Sequence, residues 1–394
     1  MIEINDKANC CGCEACTNVC PKNAIVMVTD EKGFLFPSVE TSKCVNCGLC
    51  EMVCPLKNDK SSSKSICNVY AAINKNKNEL HASASGGVFS ALAHYTISNG
   101  GVVFGCAWDE EIKPYHTQIS DIDSISLLQG SKYVQSIIGK TYNEVKNCLE
   151  QGKNVLFSGT PCQCDGLRNV LKKDYDNLVC VELVCHGVPS PTFFREYLDL
   201  EETKIKGVIK DVRFRDKKRG WGALLKFTYI DDTRKKEKYY STEESFFYNY
   251  FWKGYLYRDS CYQCKYASLP RKSDITIGDY WGVNKYHPDL DTSKGVSVVI
   301  VSSEKGMRLL DDLKNDLVIV KSDINAAINE NAQINRPSKK GIESEIIWNQ
   351  YFEGGISAVQ KYYFSKNKLS IFKGKIKRMT PLKLKEVLKK LVYG

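Results

Sequence analysis

The sequence has 394 residues, 43% hydrophobic and 26% charged, which is ordinary for a globular chain long enough for two or three domains. This composition excludes collagen, coiled coil and disorder as the dominant state, and no stretch approaches the roughly 20 apolar residues of a membrane span. Residues 365–394 carry ten Lys/Arg and one Glu, or +9 of the net +10, so residues 1–364 sum to +1 and provide no basic patch for nucleic acid.

Eighteen cysteines are too many for packing alone. The N-terminal residues show no basic stretch followed by an apolar one, as a secretory signal would. We therefore expect a reducing, cytoplasmic compartment, in which these cysteines ligate metal or perform redox chemistry and do not form disulfides.

The N-terminal region contains an internal repeat. Two cysteine quartets, each ending in Cys-Pro, are offset by 34 residues (44 − 10 = 34): Cys10, Cys13, Cys16 and Cys20, then Cys44, Cys47, Cys50 and Cys54. In two-cluster bacterial ferredoxins with this spacing, the fourth cysteine of each run ligates the other cluster. The predicted 4Fe–4S ligand sets are therefore Cys10, Cys13, Cys16 and Cys54 for one cluster, and Cys44, Cys47, Cys50 and Cys20 for the other.

Two zinc sites are the alternative, but zinc motifs usually separate two CxxC pairs by a dozen or more residues. Cys11 is left without a role. Residues 24–27 and 33–37 predict short strands around a glycine turn. We expect a ferredoxin-like domain over residues 1–56, which folds around its clusters and unfolds when iron is lost, followed by a Lys/Ser-rich linker at 57–65.

The body, residues 66–364, has an α/β pattern. Strands are predicted at 69–73, 101–107, 154–158 and 178–184, and helices at 87–98, 141–151, 161–173 and 190–201. This order predicts an α/β domain with a largely parallel sheet core. Residues 207–241 alternate with period two and predict an antiparallel portion, so the fold class is α/β, or α+β overall.

Two features of the body suggest ligand sites. Ser85-Gly86-Gly87 stands before a predicted helix, where it either admits an anion to the helix N-terminus or only makes a tight turn. Neither a GxGxxG after a strand nor a GxxxxGK[ST] motif is present.

Cys162 and Cys185 follow neighbouring predicted strands, and Cys261-x2-Cys264 comes later. Four thiolates are enough for a third 4Fe–4S cluster, while zinc, a redox-active CxxC and unconnected buried thiols remain alternatives. For the remaining body cysteines, core packing is the expected role. They are Cys67, Cys106, Cys148, Cys164 and Cys180.

Several segments occur together in a recognisable order: SGGVFSAL (85–92), GSKYVQ (130–135), SGTPCQ (158–163), CHGVPSP (185–191), Phe214-Arg215, Gly220-Trp221, Cys261-x2-Cys264 and DITIGDYWG (274–282). Over residues 10–282 the chain resembles the coenzyme F-420 hydrogenase/dehydrogenase beta-subunit family, preceded by a two-cluster ferredoxin domain. The resemblance implies FAD and favours the third cluster at Cys162, Cys185, Cys261 and Cys264. It also favours Cys162 over Cys164 as the ligand.

The resemblance further implies which residues contact the flavin: Ser85, Gly86, Gly87, Gly130, Ser131, Lys132 and Tyr133. Lys132 and His186 are candidate catalytic groups, with a surface lysine and a structural histidine as the alternatives. Trp221 and Trp281 are candidates to cover the isoalloxazine, although aromatic residues in strands are more often core.

The predicted function is that of an iron–sulfur flavoprotein oxidoreductase. Electrons would pass between a ferredoxin or other redox protein, the clusters and FAD, with hydride transfer to or from an organic substrate or a deazaflavin such as F-420. Bacterial relatives with a ferredoxin front often accompany polysaccharide biosynthesis genes. Alternatives are an electron-transfer subunit whose chemistry occurs on a partner protein, and a non-catalytic cluster protein.

The tail at 365–394 predicts an amphipathic helix after Thr380-Pro381. Leu384, Val387, Leu388 and Leu391 form one face and lysines the rest. Peripheral contact with an anionic membrane, docking to a partner and a solvated helix on the body are the alternatives.

Overall fold

The computed structural model describes residues 1–58 and 67–380. The strands are β1 (Ile25–Thr29), β2 (Leu35–Val39), β3 (Asn68–Asn74), β4 (Val102–Trp108), β5 (Pro114–Ile119), β6 (Val155–Gly159), β7 (Leu178–Leu183), β8 (Val208–Arg213), β9 (Leu224–Asp231), β10 (Arg234–Ser241), β11 (Ile275–Asp279), β12 (Ser297–Val301) and β13 (Leu317–Ser322). The helices are α1 (Ala15–Val19), α2 (Leu49–Met52), α3 (Lys77–Ala82), α4 (Val88–Ser98), α5 (Ile125–Leu128), α6 (Thr141–Glu150), α7 (Pro161–Leu171), α8 (Pro191–Ile205), α9 (Phe246–Trp252), α10 (Glu304–Asp312), α11 (Ile324–Asn329), α12 (Ser344–Lys366) and α13 (Lys368–Met379).

The N-terminal region is a small two-stranded unit packed on the body. The predicted hairpin is present, because β1 and β2 pair antiparallel with Ile25 opposite Val39. Phe34, just before β2, is 2% exposed and belongs to the aromatic core of the body. The buried carboxylate of Glu14 accepts the backbone N–H groups of Ile138 and Gly139 at 2.9 and 3.0 Å. Side chains of residues 1–56 are therefore built into the body.

The main sheet has eight strands in the order β13-β3-β12-β11-β7-β6-β4-β5. Its centre is parallel, through the pairs β4–β6, β6–β7 and β7–β11. The other four pairings are antiparallel. The predicted parallel core of the sheet is thus confirmed at its centre, whereas the two sides of the sheet are antiparallel. Periodicity shows that β3 is buried, but it does not reveal that its partners, β12 and β13, come from the far end of the chain.

The predicted antiparallel portion is confirmed as a three-stranded sheet in the order β10-β9-β8. Helices α8, α9 and α12 pack with it around a second, aromatic-rich core. Helix α12 is interrupted by non-helical backbone at Gly354 and Gly355.

The predicted start of the basic tail, residue 365, falls inside a helix. Helix α12 runs through Lys366 and α13 follows directly. The helix predicted after Thr380, and most of the predicted linker, lie outside the described residues. Among the body cysteines assigned to the core, Cys148, Cys164 and Cys180 are buried. Cys67 is exposed at the start of β3, which corrects its assignment.

Candidate iron–sulfur and cofactor site

The two N-terminal quartets interlock in space. Cys16, Cys50 and Cys54 are buried in one small cluster, to which Cys20 also packs. The electrostatic neighbours of Cys16 include Cys10 and Cys54, so the last cysteine of the second run lies beside the first run. Helices α1 and α2 each follow a residue in the left-handed conformation, Glu14 and Gly48, at equivalent positions of the repeat.

The complementary quartet surrounds a small cavity. Its lining includes Cys20 together with Cys44, Cys47 and Cys50. Backbone N–H groups point at two of the sulfurs: Ala24 N lies 3.3 Å from Cys20 Sγ, and Ile2 N lies 3.2 Å from Cys50 Sγ. N–H···S hydrogen bonds are among the features that set the reduction potential of an iron–sulfur cluster.

In the part of the chain that the structure describes, no group of three or more His, Cys, Asp or Glu side chains is arranged to hold a metal ion. A cubane makes a different demand, because each of its four cysteines binds a separate iron. The thiols of a cubane site consequently stand farther apart than the ligands of one tetrahedral ion.

Four further cysteines meet at the carboxyl edge of the parallel strands. Cys162 follows β6 and Cys185 follows β7, while a short 3₁₀ helix, Asp259–Gln263, carries Cys261 and is followed by Cys264. The electrostatic neighbours of Cys185 are Cys261, Cys162 and Cys264, and all four line one large cavity. These are the four residues predicted for a third cluster.

The turn from β6 into α7 explains which cysteine faces this cavity. Thr160 and Gln163 form a reciprocal capping box, with Pro161 in the first turn. Cys162 therefore lies in the first helical turn, with its Sγ 3.2 Å from Thr160 Oγ1. Cys164, two residues later, is 1% exposed in the core, and its Sγ points to the carbonyl of Val181.

Cys11, which had no predicted role, lies between two of the quartets. It packs against the core cluster that contains Cys13, and it lines the same cavity as Cys162. Cys13 belongs to the first predicted cluster and Cys162 to the third. One side chain therefore lies near both sets of candidate ligands. No local signal in the sequence marks this proximity, because it joins residues 151 positions apart (162 − 11).

A buried arginine fixes the loop that carries Cys11. Arg258 is 0% exposed; its Nε donates to the carbonyl of Cys10 at 2.6 Å, and its Nη1 donates to Gln135 Oε1 at 3.1 Å. Gln135 in turn donates to the carbonyls of Cys11 and Gly12. Gly12 has φ +65°, and a Cβ there would overlap Gln135 Nε2. Sequence reasoning missed this clamp.

The large cavity has a volume of about 480 Å³, within the range of small-molecule sites. The third quartet lies on its wall. Six of the seven predicted flavin-contacting residues also line it: Ser85, Gly87, Gly130, Ser131, Lys132 and Tyr133. Gly86 does not line the cavity. A Cβ at Gly86 would overlap the carbonyl of Ala72, so close packing against β3 accounts for this glycine.

The two candidate catalytic groups both face the cavity. Lys132 Nζ donates to the carbonyls of Leu127 and Gln129 at 3.1 and 2.9 Å, and burial lowers the pKa of Lys132 to about 8. The His186 ring lies 5.8 Å from that of Trp252, and burial lowers the pKa of His186 below its usual value. The fold itself thus occupies two of the three ammonium donors of Lys132.

A charged and aromatic group borders the cavity where β11 ends. Arg215 and Asp279 form a buried ion pair at 2.5 Å, and Arg215 also donates to the Tyr133 hydroxyl at 3.2 Å. Trp221 Nε1 donates to Asp279, and the Trp221 and Trp281 rings stack 4.7 Å apart. Trp281 lines the cavity and Trp221 lies behind it. The ion pair was missed as a site feature, although both of its members stand in quoted motifs.

His116, also missed, is 5% exposed in the cavity wall. Its Nε2 lies 3.1 Å from the Ser158 carbonyl and its Nδ1 lies 3.1 Å from Ser136 Oγ. These partners assign the proton to Nε2, which donates to the carbonyl, while Nδ1 accepts from the hydroxyl. Burial lowers the pKa of His116 to about 4, so the ring is neutral at pH 7.

Comparison with known proteins agrees with the cysteine repeat of the N-terminal region and with the α/β body. Residues 9–58 match the model of the 4Fe–4S dicluster domain, and residues 152–327 match that of the C-terminal part of the coenzyme F-420 hydrogenase/dehydrogenase beta subunit. A coenzyme F-420-dependent sulfite reductase of Methanocaldococcus jannaschii is 29% identical over 204 residues, which cover 50% of this chain and 30% of that protein. An uncharacterised ferredoxin of the same organism is 36% identical over 52 residues, which cover 13% of this chain and 66% of the ferredoxin.

Among solved structures, the F-420-reducing [NiFe] hydrogenase complex of Methanosarcina barkeri contains a chain that superposes with a TM-score of 0.45 at 16% identity. The match covers 73% of this chain and 93% of that one. The present chain spans about a third of the sulfite reductase and about two thirds of the ferredoxin.

The dicluster repeat and the mixed α/β body define an iron–sulfur redox protein. Within the body, residues 152–327 are similar to the C-terminal part of the coenzyme F-420 hydrogenase/dehydrogenase beta subunit.

Proposed function

We propose that this protein is an iron–sulfur flavoenzyme. In this proposal a ferredoxin-type partner exchanges electrons with the N-terminal clusters, and a third cluster and FAD in the large cavity connect them to an organic substrate or a deazaflavin. Clusters carry single electrons, whereas flavin accepts single electrons and exchanges hydride, so the two kinds of cofactor together couple one-electron steps to hydride transfer. The thiolate chemistry suits a reducing, cytoplasmic compartment.

The observation that carries the proposal is the position of Cys11, which packs against the core cluster that contains Cys13 and lines the same cavity as Cys162. It brings the first quartet of the ferredoxin region against the quartet that lines the cavity. The donor sets fit clusters, since each comprises four cysteines, and the third set lines the same cavity as the candidate flavin residues. This adjacency supports an electron path from the ferredoxin region to the cavity.

The side chains around the cavity suit a bound flavin. Ser85 and Gly87 lie at the start of α4, where free backbone N–H groups favour a phosphate. In this proposal Lys132 balances negative charge on either the pyrophosphate or the ring. Trp281 lines the cavity and is held by stacking on Trp221 and by the Arg215 guanidinium over its ring. The Arg215–Asp279 ion pair fixes this edge by hydrogen bonds to Tyr133 and Trp221.

Iron and flavin analysis tests the proposal. Protein purified without oxygen should contain about twelve irons per chain, against about eight if only the ferredoxin repeat is loaded. It should also show flavin bands near roughly 370 and 450 nm and release FAD. Replacing both Cys261 and Cys264 by Ser should remove about four irons.

A matched pair of variants sharpens the iron count. Cys162→Ser should also remove about four irons, because this thiol faces Cys185, Cys261 and Cys264. Cys164→Ser, two residues along the same helix, should keep all twelve or so. Equal iron content in the two variants would refute the ligand assignment, and absence of releasable FAD would reject the flavoenzyme.

A second candidate is an electron-transfer subunit whose chemistry occurs on another protein. It is favoured by the comparison in which the chain covers only 30% of the sulfite reductase relative. In that case FAD-loaded protein would oxidise reduced ferredoxin only after a second protein is added. A screen of F-420, nicotinamides and ferredoxin as donors and acceptors distinguishes the two. A role in polysaccharide biosynthesis would require an activated sugar to be turned over in the same screen.

A further inference from the structure

Helix α13 docks on the body by one face. Gly374 is buried there, and a Cβ at this position would approach Ser241 Oγ to 2.6 Å. Arg378 donates from Nε to Glu244 Oε2 at 2.6 Å, and Ile371 packs at the edge of the aromatic core. These three residues, spaced three and four apart, form the inward face of the helix.

The opposite face carries four large exposed apolar side chains. Leu369, Phe372, Ile376 and Met379 are 66%, 60%, 50% and 61% exposed. Their spacings of three, four and three residues place them in one row, which we call the α13 stripe. Single exposed apolar residues are normal on a protein surface, but a contiguous row on one short helix is a mark of an interaction surface.

Lysines border the α13 stripe on both sides. At 100° per residue, Lys368 and Lys375 fall on one side of the row, and Lys373 and Lys377 fall on the other. All four are exposed, and α13 contains no acidic residue. An apolar row flanked by lysines is the arrangement of helices that lie in the interface of an anionic bilayer, with the lysine stems extended along the apolar surface.

We propose that α13 binds the surface of an anionic membrane, independently of the redox function. The α13 stripe enters the boundary between headgroups and acyl chains, and the four lysines contact lipid phosphates. In the described part of the chain, no helix is long and apolar enough to cross a membrane. Charge complementarity selects this occupant, because every charged residue of α13 itself is positive and its acidic neighbours Glu243 and Glu244 pack on the inward face of the helix.

The same charge pattern argues against the chain's own last residues as the cover. Residues 381–394 contain Lys383, Lys385, Lys389 and Lys390 against a single acid, Glu386. Seating that segment on the α13 stripe would bring lysines against lysines. A second copy of the chain would do the same, since the stripes of both copies carry the same border.

Vesicle sedimentation with the full-length, anaerobically purified protein tests the proposal. The protein should sediment with vesicles of about 30% phosphatidylserine in phosphatidylcholine, bind pure phosphatidylcholine much less, and be released by salt. Leu369→Ser with Phe372→Ser should lower the affinity at least about tenfold, because two apolar side chains no longer enter the interface. Lys373→Gln with Lys375→Gln should lower it about 30-fold, at roughly fivefold per lysine.

Matched controls change the same residue types elsewhere. Ile122→Ser and Lys210→Gln alter exposed positions outside α13 and should leave vesicle binding unchanged. Failure of the wild-type protein to bind anionic vesicles overturns the proposal. So does full binding by the Leu369/Phe372 variant combined with loss of binding by Lys389→Gln/Lys390→Gln, which would assign the contact to residues 381–394. A stripe variant that changes only the oligomeric state, measured by light scattering, would make the α13 stripe an interface between copies and would also overturn it.

Discussion

Arg258 provides the sharpest test of how the ferredoxin region is held against the cavity. Replacing it by Met keeps an unbranched side chain of similar length and removes the guanidinium. The Nε bond to the Cys10 carbonyl, the Nη1 bond to Gln135 and the contact over the Phe36 ring at 4.0 Å would all be lost. The loop Cys10–Gly12 would then lack its strongest attachment to the body.

The magnitude follows from these contacts. Two hydrogen bonds from a charged donor contribute about 1.5–3 kcal/mol each, and a desolvated cation–π contact about 1–2 kcal/mol. Part of this is recovered, because Met removes a buried charge whose Nη2 has no hydrogen-bond partner among the described residues. We expect the local opening free energy of the loop to fall by about 2–4 kcal/mol, or roughly 30- to 700-fold faster amide exchange.

Hydrogen–deuterium exchange of the cluster-loaded protein, followed by mass spectrometry of peptides covering residues 10–16, measures this opening. Arg308→Met is the matched control, since Arg308 is 68% exposed and makes one helical ion pair, at 3.9 Å. It should change exchange by less than about threefold. Unchanged exchange at residues 10–16 in Arg258→Met would show that the clamp does not hold the loop.

Three further variants test other features of the site. Gly12→Ala should cost about 1–2 kcal/mol for its left-handed backbone, and more for the overlap with Gln135, so a chelator should remove iron faster. Asp279→Asn leaves the buried Arg215 without its carboxylate and should lower the unfolding free energy by about 3–5 kcal/mol, measured by urea titration. The unfolded chain binds a proton at His116 near pH 6.5, whereas the folded chain does so only near 4, so this residue makes stability fall as pH falls through that window. Between about pH 7 and pH 5.5, protonation of His116 in the unfolded chain lowers the unfolding free energy by about 1 kcal/mol. His116→Gln should abolish this loss.

Each of these has a control within the chain. Gly48 has the same left-handed backbone (φ +73°), but a Cβ added there has no atom within 4 Å. If Gly48→Ala loses iron as fast as Gly12→Ala, the contact of residue 12 with Gln135 does not hold the cluster loop. Asp199→Asn breaks an exposed ion pair with Arg195 and should lower the unfolding free energy by less than about 1 kcal/mol. If Asp279→Asn lowers the unfolding free energy by no more than this, burial does not strengthen the Arg215–Asp279 pair. His94→Gln, at an exposed position, should keep the wild-type pH slope, and an unchanged slope in His116→Gln would contradict the sign argument.

The cysteine repeat could be recognised from the sequence because its chemistry depends only on residues close together in the chain. Three thiols within about seven residues can wrap one corner of a cubane in any chain with that spacing, whatever lies around them. The helices and strands around Cys162 and Cys185 were likewise predicted, and both cysteines follow neighbouring parallel strands as expected. Hydrophobic periodicity records which face of an element is buried, and it does so without reference to partners.

Partners themselves were decided only by the tertiary structure. The sequence could not show that β3 pairs with β12 and β13, that Arg258 reaches the Cys10 loop, or that Cys11 lines the same cavity as Cys162. These arrangements join residues far apart in the chain, and they depend on which surfaces bury one another once every element has packed. The amino-acid order therefore determined a cysteine spacing that suits iron–sulfur clusters, and packing determined which sets of candidate ligands lie next to each other.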